Sequence, residues 1–285
     1  MSRFYLSERG NAANEDFAYA AGVPGGSYGL VIDGATGLVD LPLVSGDFAT
    51  NAQWFSHVVG GRVCRLLELG RAPGEALAAA VEAARVELEA ALGCEVESLE
   101  AAAVPSATLA LAVRRGRELE LWGLADSPLV VLMRSGELVI STDEVLESLD
   151  DAAVALMVER SAGRGLSAVE KRALVRDEVI ANRQMRNVEG GYWCLDPTGE
   201  GLSHARRLTL PASDVAAVAG MSDGFFRAFG QYGMAGLGEW MAGATHFSAL
   251  LLCDRMRVLE TADASLERFP RMKVGDDASV FWMGE

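Results

Sequence analysis

The amino-acid sequence predicts a layered α+β fold, and three observations carry that expectation. Strand-like and helix-like segments do not alternate one for one: strands are followed by two helices, a run of strands, a charged helical stretch, then strands, helices and a closing strand. A doubly wound parallel sheet needs regular alternation, so this order argues against it. Between 108 and 140, short apolar segments follow one another across brief polar breaks, a meander whose connections suit antiparallel pairing. The 31 glycines supply the tight turns a strand-rich chain requires.

Each element has a local signal. Phe17–Tyr19 and Tyr28–Ile32 read as strands on either side of the turn-rich Gly22–Ser27, the second ending in Asp33-Gly34. Phe48, Trp54, Phe55, Val58, Val59, Val63, Leu66 and Leu67 form a helical stripe between Asp47 and Leu69, with Asp47 as N-cap and Gly70 as stop. Pro73 opens a second helix that runs to about Leu92, with Gly93 behind it, and the short connection makes an antiparallel pair. Strands follow at Thr108–Val113, Glu118–Ala125, Leu129–Met133 and Glu137–Ile140. Asp150–Asn187 is charged and helix-prone; strands resume at Tyr192–Leu195, Ala205–Leu210 and Val215–Met221. Helical stretches at Phe225–Phe229, Gly233–Gly243 and Ser248–Thr261 precede a last strand, Ala278–Met283. Without repeats or a linker, residues 1–285 read as a single domain with a helical insertion at about 150–190.

Composition narrows the function classes. The chain has 285 residues, half of them apolar, and 40 Asp+Glu against 25 Lys+Arg, a formal charge of −15. That apolar content is too high for a disordered chain. The acidic balance argues against nucleic-acid partners, which require clustered Lys and Arg. No apolar run approaches the ~18 residues of a membrane span, and the N-terminus has no signal-peptide core, so no membrane partner is expected. Cys64, Cys94, Cys194 and Cys253 show no paired spacing, and three histidines are too few for a Cys/His zinc site. They read as reduced cysteines of a cytoplasmic protein.

Acidic residues recur at strand ends: Asp33, Asp126, Asp223 and Asp276-Asp277 just beyond apolar strands or in turns, and Glu15-Asp16 just before one. An Asp-Gly pair alone is an ordinary turn. Five such places in one acidic chain point further, because strand ends can converge and massed carboxylates repel unless a cation compensates them. Oxygen ligands without His or Cys favour Mg²⁺ or Mn²⁺.

In order, the chain carries Asn14-Glu15-Asp16, Val31-Ile32-Asp33-Gly34, Ser106-Ala107-Thr108, Ala125-Asp126-Ser127, Gly136, Thr142-Asp143, Met221-Ser222-Asp223-Gly224 and Asp276-Asp277-Ala278-Ser279. This series resembles the metal-dependent protein phosphatases of the 2C type, the PPM family, in a divergent bacterial form, over residues 14 to 283. The resemblance implies a four-layer αββα sandwich, two mainly antiparallel β-sheets flanked by antiparallel helix pairs, with the 150–190 segment as a flap beside the site. It implies hydrolysis of phosphoserine and phosphothreonine monoesters of a phosphoprotein substrate, with two or three Mg²⁺ or Mn²⁺ ions, by activated water without a phosphoenzyme. By position, Asp33 bridges two metals with the Gly34 carbonyl contributing, Asp223 and Asp276 complete one shell, Glu15 serves the second metal, Asp16 orients water, and Asp126 helps hold a third ion.

Several positions depart from that pattern. Asn11 stands where the family has a phosphate-gripping arginine, with Arg9 two residues earlier as the candidate replacement. Ala35 stands where many eukaryotic members have a histidine; Ala125, Ser106 and Asp277 replace two glycines and an asparagine. Two other readings compete. One is a weak or inactive phosphatase-like module that binds a partner protein. The other is a serine hydrolase using Ser222 in Gly220-Met221-Ser222-Asp223-Gly224, whose candidate partners, Glu239 and His246, crowd close behind it.

Overall fold

The structure, a computed structural model, describes residues 2–35, 37–39 and 41–284. In chain order its elements are β1 (Ser2–Glu8), β2 (Asp16–Val23), β3 (Gly26–Ala35), α1 (Asn51–Glu68), α2 (Pro73–Leu92), β4 (Ser106–Ala107), β5 (Leu109–Arg115), β6 (Glu118–Leu124), β7 (Leu129–Met133) and β8 (Leu138–Ser141). Then come α3 (Glu144–Ser161), α4 (Ala168–Ala173), α5 (Arg176–Gln184), β9 (Arg206–Pro211), β10 (Val215–Met221), α6 (Asp223–Phe226), α7 (Leu237–Gly243), α8 (His246–Ala262) and β11 (Ala278–Gly284). One sheet has the order β1-β11-β10-β7-β8 and the other β2-β3-β5-β6-β9, with β4 on β3. Every pairing between these strands is antiparallel.

The two-residue period of the strands divides the core into three. On β3, Tyr28, Leu30 and Ile32 face Trp54, Phe55 and Val59 of α1 and Leu77 and Val81 of α2. Val31 of the same strand faces the other way, into a seam with Ala18, Ala110, Val131, Val218 and Phe281. The outer face of the second sheet, with Val130, Ala219, Val280 and Trp282, packs on Phe225, Trp240, Leu252 and Met256 from α6–α8. Helix, sheet, sheet, helix is therefore the layering. Burying each large aliphatic or aromatic side chain in these seams contributes about 1.5–3 kcal/mol.

Most expected elements are present, with differences that have local causes. Strand β1 has no counterpart in the expectation; it pairs with β11 from Ser2↔Gly284 to Glu8↔Ala278, burying Leu6 while Tyr5 stays exposed. Helix α1 starts at Asn51, not at Asp47, because Thr50 is the cap: its side chain accepts the Gln53 N–H at 3.0 Å, while Asp47 sits in a turn with Ser45. Tyr192–Leu195 is not a strand and makes only single bridges, Ala107↔Leu195 and Arg186↔Tyr192. The Asn187 side chain accepts the Cys194 N–H at 2.9 Å, a backbone donor a strand neighbour would otherwise use. The stretch expected from Gly233 becomes helical only at Leu237, after the left-handed Gly233.

Candidate active site

Strands β2 and β3 place Asp16 directly opposite Asp33, on the inner face shared by Ala18 and Val31. Two carboxylates thus stand side by side at one end of the seam between the sheets. Asp16 is 2% exposed, and its Oδ2 is buried without a hydrogen-bond partner. Burial, then repulsion from Asp277 and Asp276, pushes the Asp16 carboxyl up to about 7, with bonds toward Ser279 and Asp33 offsetting part of this. Asp33 is held well above its ordinary value by desolvation and by repulsion from Asp16, Asp223, Asp276 and Asp126.

The loop before β2 is tied to the far end of the chain. One oxygen of Asp277 accepts the N–H groups of Gly10 (2.8 Å) and Asn11 (3.2 Å), and the other accepts that of Glu15 (2.8 Å). The Glu15 carboxylate accepts from the Thr50 hydroxyl at 2.6 Å, and its carbonyl accepts from Ser56 and from Gly34 N–H. The glycines of both Asp-Gly pairs answer to crowding, with no left-handed backbone at either. A Cβ on Gly34 would lie 2.6 Å from the Glu15 carbonyl oxygen, and one on Gly224 would lie 2.0 Å from that of Asp277.

Asp126 follows Ala125, whose φ of 53° is the left-handed conformation that glycine adopts without cost. The turn is held by Arg206, which donates to the Ala125 carbonyl at 2.7 Å, and by a short bond between Thr108 and Ser127. Desolvation, Asp223 and Asp150 hold Asp126 well above its ordinary value. Partial desolvation and repulsion by Asp223 also push Asp150 of α3 up to about 6.

Asp223 and Asp276 are in a different electrostatic state. Arg227 donates to Asp223 at 2.5 Å and to Asp276 at 3.1 Å, and Lys273 donates to Asp276 at 2.9 Å. These cations outweigh the burial of Asp276 and hold its carboxyl below the ordinary range. The cluster's Asp16, Asp33 and Asp126 side brings together oxygen donors of the kind a divalent cation takes, crowded and with one orphaned buried oxygen. Its Asp223–Asp276 side already carries two cationic partners. Among the described residues, no group of three or more His, Cys, Asp or Glu side chains is arranged to hold a metal ion.

No protein-family model and no curated protein sequence matches this chain. Solved structures do. The catalytic domain of the serine/threonine protein phosphatase PstP, in complex with two manganese ions, is 18% identical with a TM-score of 0.54, covering 99% of this chain and 96% of that one. The PPM Ser-Thr phosphatase MsPP from Mycobacterium smegmatis, in complex with cacodylate, is 17% identical with a TM-score of 0.50, covering 100% and 98%. The serine/threonine phosphatase Stp1 from Staphylococcus aureus is 9% identical with a TM-score of 0.57, covering 99% and 94%. The chain has the PPM-type phosphatase fold.

Within the PPM-type fold, Asp16, Asp33, Asp126, Asp223 and Asp276 are near enough to perturb one another. Arg9 is exposed just past β1. Asn11, in the position expected for arginine, donates its side-chain amide to Asp276 at 3.1 Å. Sequence reasoning did not single out Arg227, Lys273 or Asp150, and it took Asp277 as a mild departure. Arg227 lies one helical turn after Asp223, a spacing that pairs charges on a helix, and was in that sense legible. Ser222 is fully buried, and its hydroxyl accepts the Ser279 N–H at 2.9 Å, while the His246 ring packs edge-on against Phe4. A serine nucleophile needs an exposed hydroxyl on a histidine, so this geometry does not favour the hydrolase reading.

Proposed function

We propose that the chain is a divergent member of the PPM family, a Mg²⁺- or Mn²⁺-dependent hydrolase of phosphoserine and phosphothreonine monoesters acting on a phosphoprotein in the cytoplasm. The observation that supports this best is the buried Asp16–Asp33 pair on the inner face, with Asp126 near enough to repel Asp33. Asp33, the Gly34 carbonyl and Glu15 are the groups that would hold a metal ion there, with Asp126 as a further donor. When bound, the ion supplies Lewis-acid activation of water and neutralises charge on the phosphoryl oxygens. Asp16, with one buried oxygen free, orients the attacking water and accepts its proton. Asp277 fixes the 10–15 loop so that Glu15 and Asp16 keep their places. The α3–α5 segment, as a flap within a single domain, brings Asp150 toward Asp223. Asp223 and Asp276 close the opposite side of the site.

The test is hydrolysis of an aryl phosphate and a phosphothreonine peptide with EDTA, Mg²⁺ or Mn²⁺. Metal-dependent turnover should fall by about 10²–10⁴-fold in Asp16→Asn and below detection in Asp33→Ala. No turnover with either metal, from folded protein, would overturn the enzyme reading and leave a phosphatase-like module that binds a partner.

A further inference from the structure

The carboxylates of the cluster are not equivalent. Asp276 is heavily engaged as an acceptor: one oxygen takes the Asn11 side-chain amide at 3.1 Å, the Lys273 ammonium at 2.9 Å and the Asp277 N–H at 3.2 Å, and the other takes Arg227 at 3.1 Å. A carboxylate offers about two acceptor sites on each oxygen, so the first oxygen is fully taken and the second keeps one open site beside Arg227. Arg227 also reaches Asp223 at 2.5 Å and so bridges the two aspartates. The charge there closes as well, since two carboxylates face one guanidinium and one ammonium. By contrast, the Oδ2 of Asp16 is buried without a hydrogen-bond partner, and Asp33 stands opposite it across β2 and β3.

Building on the phosphatase reading above, we propose that Arg227 and Lys273 stand in for one divalent cation at the Asp223–Asp276 pair, so that the site takes a single ion, on the Asp33 side. A divalent ion at the other end would have to displace an arginine and a lysine from partly buried ion pairs, leaving both cations crowded against it. The two side chains would also present fixed positive charge to a phosphoryl group, in the region where Asn11 has replaced the expected arginine.

The experiment is a calorimetric titration of the metal-stripped full chain with MnCl₂, with free Mn²⁺ followed by its EPR signal. The wild-type protein is expected to bind one ion. The double variant Arg227→Met with Lys273→Met, which keeps side-chain bulk and frees the carboxylates, should bind two. Because that variant leaves two carboxylates unpaired, its thermal melt is measured with and without Mn²⁺. It should melt lower than wild type without metal and recover more on saturation. If the double variant does not fold, Lys273→Met alone is titrated, and it should gain a second, weaker site. Two ions in the wild-type protein, or one in both proteins, would overturn this inference while leaving the phosphatase reading in place. No Mn²⁺ bound by either protein, together with no phosphate-ester hydrolysis, would overturn the metal-dependent reading and this inference with it.

Discussion

At the scale of single residues, the site depends on Asp277 as much as on the carboxylates facing the seam. Three backbone N–H groups converge on it from residues that lie more than 260 positions earlier. Hydrogen bonds to a charged acceptor are among the stronger ones, and removing the acceptor leaves the donors unsatisfied. Asp277→Ala is therefore expected to cost about 3 kcal/mol and to lower the melting temperature by about 5–10 °C. Asp277→Asn, which keeps one carbonyl acceptor, should cost less than half of that; a denaturant titration of both variants checks the order. The importance of Asp277 was not legible in the sequence, where it differs from the expected asparagine by one atom type. Its partners come from the other end of the chain, and no local pattern reports such a contact.

At the scale of elements, signals that are local in the sequence were read best. Helix α2 spans Pro73–Leu92 as expected, because proline at its start and the left-handed Gly93 at its end act through the neighbouring backbone alone. Strand β10 likewise matches Val215–Met221. Where competing side-chain bonds decide, the reading slipped: Thr50 caps α1 in place of Asp47, and Asn187 removes Tyr192–Leu195 from strand pairing. The helical segment α3–α5 is docked through few polar points. The Lys171 ammonium, 4% exposed as a residue, donates to the Ser265 carbonyl at 2.8 Å and to Glu267, and Arg183 donates to Ser106 at 2.9 Å. Lys171→Ala should loosen this segment more than it destabilises the sheets, since the three main cores contain none of its side chains. Hydrogen exchange is expected to rise across residues 144–184 while β3, β5 and β10 keep their protection. Uniform exchange across the whole chain would contradict a separately loosened segment.

At the scale of the whole molecule, the carboxylate cluster links stability to pH and to metal. Asp16 is shifted from 3.8 to about 7, and Asp33 and Asp126 also bind protons more tightly in the folded chain. The native state then holds more protons than the unfolded state between pH about 4 and 7, so stability falls as pH rises through that window. Asp276 is shifted the other way, and its contribution is lost only as pH falls below about 4. Chelator-treated protein is accordingly expected to melt at a lower temperature at pH 7 than at pH 5, and Mn²⁺ at pH 7 should reverse the loss. A melting temperature that stays level or rises from pH 5 to pH 7 without metal would contradict the unrelieved crowding of these carboxylates.

The sequence by itself determined the layered α+β class, most strand and helix positions, and the set of acidic residues at strand ends. These follow from periods of two and 3.6 residues and from capping chemistry, all of which act within a few positions along the chain. Only the tertiary structure decided that Asp16 and Asp33 pair across β2 and β3 on the same inner face, because a slip of one residue would turn either to the other side. It alone decided that Arg227 and Lys273 make direct ion pairs with Asp223 and Asp276, while the carboxyls of Asp16, Asp33 and Asp126 are held above their ordinary values. Charge balance at a site depends on which distant residues meet and how much water is excluded there, and neither is written in any short stretch of the chain.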